Sequence, residues 1–305
     1  MSEPEVIRDK SQMRAWSRSR RCNGITLALV PTMGFLHEGH LSLIRTAKAL
    51  ADLTVVSIYV NPGQFAPSED LSTYPSDLAG DLRKLTSIGV DAVFCPTELY
   101  HSASDTDFTR HRGTIYGESE AVSSLEDGGS GHQTWIRVET LEKGLCGTSR
   151  PVFFRGVATV VAKLFNIVEP DVALFGKKDY QQWRVICQMV RDLDFDIKII
   201  GVDIVREADG LAMSSRNVRL LPEQREMALS INKSLSRAKV AARQKSCHEL
   251  KALIMQAISE SGGKIDYVEI VDQLNLRPVE EISCPVVLCV AAWFGNVRLI
   301  DNIEL

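Results

Sequence analysis

His37 and His40 stand in the run Pro31-Thr32-Met33-Gly34-Phe35-Leu36-His37-Glu38-Gly39-His40. They follow an apolar, β-rich stretch (25–30) and precede a pattern with Leu41, Ile44 and Ala47 at core spacing. Three residues apart at the first turn of a helix, the two side chains share one face. The start of a helix after a buried strand offers free backbone N–H groups and a positive dipole end to phosphate. Two imidazoles there can donate hydrogen bonds to phosphoryl oxygens, and Gly39 keeps the surface low enough for a nucleotide to approach. The same architecture recurs where the apolar run 171–175 meets Gly176-Lys177-Lys178-Asp179-Tyr180-Gln181-Gln182. A lysine at such a turn can meet a phosphate as a point charge, and an exposed Lys–Asp pair is the alternative. The loop Asp209-Gly210-Leu211-Ala212-Met213-Ser214-Ser215-Arg216-Asn217 adds two hydroxyls and a guanidinium fork, suited to a mobile phosphate clamp. Asn61 and Gln64, at the end of the apolar run 53–60, can present amide groups or belong to a solvated turn.

These groups need a scaffold, and the apolar periodicity supplies one. Runs at 25–30, 53–60, 90–94, 171–175 and 196–200 read as strands, the second of them buried on both faces, as in a parallel sheet. Helices are expected at 5–21, after His37, at about 77–88 (carrying Asp81) and at 155–167, with a further strand at 134–138. From Pro222 the pattern changes to helices at 222–243 and 247–261 and strands at 265–271, 286–291 and 296–301. The fold class is α/β with a parallel sheet, followed by a smaller C-terminal α+β unit, divided as 1–203 and 204–305. Residues 101–133, rich in Ser, Asp, Gly and Glu, read as a loop insertion in which His101, His111 and His132 are solvated.

Composition narrows the class. With 305 residues, 45% hydrophobic, 24% charged and a net charge of −4, the chain has the balance of a globular protein and no electrostatic footprint for nucleic acid. No apolar run approaches the ~20 residues that span a bilayer, and the charged N-terminus has no signal-peptide core. Seven cysteines without CxxC spacing read as reduced core residues of a cytoplasmic protein, not as a metal site.

Taken together and in order, Pro-Thr-Met-Gly-x-Leu-His-Glu-Gly-His, Asn-Pro-x-Gln-Phe, Phe-Arg-Gly-Val, Phe-Gly-x-Lys-Asp-Tyr-Gln-Gln and Asp-Gly-Leu-Ala-Met-Ser-Ser-Arg-Asn resemble the pantoate–β-alanine ligase (pantothenate synthetase) family. The resemblance runs from about residue 25 to the C-terminus outside 101–133, a stretch that is similar to the plant-type branch. It implies a Rossmann-like nucleotidyltransferase domain of the HIGH type and usually a homodimer. It also implies a reaction in which ATP and pantoate form pantoyl adenylate, which β-alanine converts to pantothenate, with Mg2+ on the ATP phosphates. By the same resemblance, His37, His40, Lys178, Ser214, Ser215 and Arg216 are catalytic. Gln64, Gln182 and Met33 hold pantoate. Thr32, Met33, His40, Gly176, Lys178, Asp179, Val205, Met213, Ser214, Ser215 and Arg216 surround ATP, and Asp81 is a metal-side carboxylate. Two departures stand out: Phe153 where many members have histidine, and Lys177 where a glutamate is common, adding charge beside Lys178.

Two other functions share parts of this pattern. An adenylyltransferase acting on a phosphorylated acceptor would need extra basic residues for that phosphate. A nucleotide-sensing module would not need amides beside the phosphate site.

Overall fold

The computed structural model describes residues 2–21, 24–66, 69–100 and 132–305. Its larger sheet has six parallel strands: β1 (Glu5–Ile7), β2 (Leu27–Thr32), β3 (Leu53–Ile58), β4 (Ala92–Phe94), β5 (Val172–Gly176) and β6 (Lys198–Val202). On β2, Leu27 and Leu29 enter one core while Ala28 and Val30 enter the other, and all four are fully buried. A strand apolar on both faces must be covered on both, which crossover helices do in a parallel sheet. The first face is covered by α1 (Lys10–Arg20), the short α4 (Leu145–Ser149), α5 (Phe153–Val168) and α6 (Tyr180–Asp192). The second is covered by α2 (Glu38–Leu50) and α3 (Leu78–Ile88).

The spatial order is β1-β4-β3-β2-β5-β6. From β2 the chain steps outward through β3 to β4, then returns to lay β5 and β6 on the other side of β2. That reversal between β2 and β5 is a topological switch point, and ligands of open α/β sheets bind at the carboxyl ends of strands there. The helix start with the two histidines and the turn with Lys178 follow these two strands.

Beyond β6, helices α7 (Pro222–Ala241) and α8 (Cys247–Glu260) pack on an antiparallel sheet of β7 (Lys264–Asp272), β8 (Val286–Phe294) and β9 (Val297–Glu304). Ile270, Leu288 and Val290 face the helices, joining Leu235, Leu250 and Ile254 in a core of their own. Val271, Val287 and Cys289 join the core of the larger unit instead. The small sheet is thus held between its own helices and the parallel sheet, which sets β9 beside the turn after β5.

Three expectations need correction. Residues 5–7 form an edge strand paired with β4, and the helix begins only at Lys10, where Asp9 accepts N–H bonds from Ser11 (2.8 Å) and Gln12 (2.9 Å). An N-cap aspartate fixes that start. The stretch 134–138 is irregular: its N–H groups at Ile136 and Val138 are taken by the Thr159 hydroxyl (2.9 Å) and the Glu142 carboxylate (3.3 Å), not by a strand. His132 packs edge-on against Tyr100 and Trp135 at 4.8 and 5.2 Å between ring centroids. Residues 101–131, which hold most of the expected insertion with His101 and His111, lie outside the described residues. Among the described residues, no helix is long and apolar enough to cross a membrane.

Candidate active site

After β2 the backbone turns through Gly34 and Phe35 at positive φ, 84° and 52°. For phenylalanine that conformation is strained and needs an outside hold. Asp81, fully buried on α3, supplies it by accepting N–H bonds from Phe35 and Leu36, 2.7 Å each. Each carboxylate oxygen accepts one of these bonds, and Asp81 is not among the residues that line the cleft.

The turn sets up α2, whose first residues use histidines as caps. Nδ1 of His37 accepts the N–H of Gly39 (3.2 Å), and Nδ1 of His40 accepts the N–H of His37 (3.3 Å). An Nδ1 that accepts carries no proton, so each neutral ring bears its proton on Nε2. The rings lie 4.0 Å apart, tilted by 36°. Burial, followed by the charge of Lys178, pushes the His37 pKa down to about 4. Burial, His37 and Lys178 hold His40 well below the ordinary value. Near neutral pH the pair is two uncharged N–H donors at the positive end of a helix.

The amide of Gln64 is oriented by a chain of partners. Asn61 Oδ1 accepts from Gly63 N–H (3.3 Å) and from the Tyr100 hydroxyl (2.8 Å). Its Nδ2 then donates to Gln64 Oε1 (2.9 Å) and to the Gly156 carbonyl (3.2 Å). With Oε1 taken, Gln64 turns its Nε2 to the cleft, where it meets Met33 Sδ at 3.3 Å. Gly156 makes this possible: a Cβ there would sit 1.9 Å from the Gly63 carbonyl oxygen. Asn61 is thus a supporting residue, and only the folded contacts reveal it.

Beyond β5, Lys178 and Gln182 face the cleft, while Gln181 is buried and donates to the carbonyls of Leu141, Lys143 and Gly144 at 2.9–3.1 Å. Ser214 caps its own short turn by accepting the Arg216 N–H at 3.2 Å, and the Ser215 hydroxyl donates to the Phe35 carbonyl at 3.3 Å. The guanidinium of Arg216 meets Asp70 (3.2 and 3.3 Å), which also holds Arg219. A phosphate that draws Arg216 away therefore leaves Asp70 paired.

One cleft of about 650 Å³ gathers Thr32, Met33, His37, His40, Gln64, Gly176, Lys178, Asp179, Gln182, Val205, Met213, Ser214, Ser215 and Arg216. Asp81 is the one expected site residue it leaves out. Hydrogen-bond donors lie at the switch point, a lysine crosses from the second turn, and amides line one side. Such a set can bind a polyphosphate against an oxygen-rich acid.

The family model described as pantoate-beta-alanine ligase matches residues 5–304. This chain belongs to the pantoate–β-alanine ligase family. It is 65% identical to the pantoate--beta-alanine ligase of Oryza sativa subsp. japonica over 99% of this chain and 97% of that protein. It is also 65% identical to that of Arabidopsis thaliana, over 99% and 98%. Among solved structures, a pantothenate synthetase from Thermus thermophilus superposes with a TM-score of 0.84 at 37% identity, covering 98% of this chain and 99% of that one. The ligase of Francisella tularensis complexed with beta-gamma ATP and beta-alanine gives 0.72 at 31%, covering 98% and 97%. The match begins at residue 5, ahead of the first motif, and spans 101–133.

Phe153 and Lys177, the two residues expected to depart from the family pattern, each have local partners. Phe153 stacks under the Arg150 guanidinium, 3.8 Å from the ring centroid, and Arg150 is ion-paired with Glu69. Lys177 adds no free charge beside Lys178, because Asp203 (2.9 Å) and Glu304 (3.1 Å) hold it.

Proposed function

We propose that this enzyme condenses pantoate with β-alanine at the expense of ATP in two steps, with the residues of this cleft in the following roles. The pantoate carboxylate attacks the α-phosphorus of ATP, the bond to the leaving pyrophosphate breaks, and pantoyl adenylate forms. The β-alanine amine then attacks the acyl carbon, AMP leaves and pantothenate results. Neither step needs a covalent protein nucleophile. Two anions must be brought together, so charge neutralisation and alignment are the protein's contribution.

The observation that carries this reading is the convergence of two Nε2–H donors and Lys178 on a cleft whose side wall is the oriented Gln64 amide. His37, His40, Lys178, Ser214, Ser215 and Arg216 would hold the phosphates as charge moves onto them. Gln64 and Gln182, with Met33 beside them, would hold pantoate's hydroxyl and carboxylate oxygens. Thr32, Gly176, Asp179, Val205 and Met213 would frame the nucleotide. Residues 1–203 carry most of these groups, and 204–305 would close over them.

Among the described residues no group of three or more His, Cys, Asp or Glu is placed to hold a metal ion. Mg2+ in this reading would arrive with the triphosphate, whose oxygens suit a small hard cation. It would supply further charge neutralisation at the phosphates. The enzyme would work in the cytoplasm as a homodimer, which light scattering after size exclusion tests. The decisive assay follows pyrophosphate and AMP with ATP and pantoate, with and without β-alanine. Pyrophosphate release that needs pantoate, and AMP release that needs both, is expected. Release indifferent to pantoate would overturn the assignment.

A further inference from the structure

Asp301 and Asn302 are neighbours on β9, exposed by only 4% and 5%, and each ends on a different loop of the cleft. The Asn302 amide nitrogen spends both hydrogens on carbonyls of the turn after β5, those of Lys177 (2.8 Å) and Lys178 (3.0 Å). The Asp301 carboxylate receives both terminal nitrogens of Arg206, at 2.7 and 3.0 Å. Arg206 also reaches the Gly210 carbonyl at 3.2 Å, inside a tight turn closed by the Glu207–Leu211 (2.8 Å) and Met213–Val205 (3.0 Å) backbone bonds. That turn delivers Ser214 and, after it, Arg216.

We propose that Asp301–Asn302 is a positioning pair for the adenylation step, one rigid strand that sets the separation between the Lys178 turn and the Ser214–Arg216 loop. The 177–179 turn is three residues long with no side-chain N-cap, and the Asn302 amide ties two of its carbonyls to β9. A strand paired along its length supplies a fixed reference, and bidentate guanidinium–carboxylate geometry fixes angle as well as distance. Donors aimed at a phosphoryl group must keep their spacing, since a misplacement of about 1 Å can cost ~10²-fold in rate. This inference rests on the turn and the loop holding ATP's phosphates.

The test is a double-mutant cycle. Asn302→Asp keeps the shape but turns an oxygen toward the two carbonyls. ATP affinity measured by calorimetry should fall ~10-fold or more while the KM for pantoate stays within ~2-fold. In a Lys178→Met background the same change should cost less than ~2-fold, because the group it positions is gone. Equal losses in both backgrounds, or a parallel rise in the KM for pantoate, would overturn the positioning role. Should Asn302→Asp not fold, the side-chain 15N resonance of Asn302 in the wild-type protein decides. ATP should shift it through the carbonyls it holds, and an unmoved resonance overturns the proposal. Wild-type protein that releases no pyrophosphate from ATP and pantoate would instead remove the functional reading beneath it.

Discussion

His37 and His40 use Nδ1 to cap the helix that carries them, and that structural task decides their chemistry. A ring locked with its proton on Nε2 donates without being charged, so the pair can bind phosphate across neutral pH. Replacing His40 or Lys178 by Ala should lower the rate of pantoyl-adenylate formation at least ~100-fold with the fold intact, the scale of one lost transition-state donor. Near-normal turnover in a folded variant would take that residue off the list. The pH behaviour follows from the same burial. His37 titrates at about 4 in the folded chain against 6.5 for an ordinary histidine. Between those values the unfolded chain binds more protons, so stability falls as pH drops from 6.5 toward 4 and this group adds no further loss below. The loss is on the order of 3 kcal/mol. NMR titration of the His37 ring should give a midpoint near 4, moved upward by ATP because phosphate favours the imidazolium. A midpoint near 6.5 without ATP would contradict the tautomer and burial described above.

At the scale of elements, the amide wall depends on how closely α5 crosses the 62–64 turn. The two backbones meet at Gly156 and Gly63, and Asn61 ties both to Gln64. Gly156→Ala puts a methyl where a carbonyl oxygen stands, so α5 and the turn must separate. Overpacking of this kind costs about 1–3 kcal/mol. The expected signature is a lower Tm together with a KM for pantoate raised more than that for ATP, since the histidine helix and the Lys178 turn lie on other elements. An unchanged KM for pantoate in a folded variant would show that this crossing does not orient Gln64.

For the whole molecule, the switch point brings together groups from both halves of the chain, and β9 returns from the C-terminus to steady them. No expected site residue falls in 101–133, and the stretch is polar and glycine-rich with no apolar period. Replacing most of it with a short linker should leave catalysis at a single site within about threefold, because such a segment adds little to a core. Steady-state kinetics of the shortened protein check this. Complete loss of activity in a folded variant would give the segment a catalytic role, and changed cooperativity toward pantoate would give it a role between subunits.

The sequence alone determined the α/β class and the strand–turn–helix units at His37 and Lys178, because those signals are local: apolar period, glycine turn and cap. It misread 5–7 and 134–138, where the backbone partner comes from a distant strand in one case and from side chains in the other. Asp81 has the right residue type for a metal, and only the fold shows its oxygens committed to the Phe35 turn. The roles of Asn61, Gly156, Asp301 and Asn302 were equally beyond sequence reading. Each depends on one hydrogen bond or one close approach between segments far apart in the chain, and such pairings come into being only when the sheets pack and the distances between those segments become fixed.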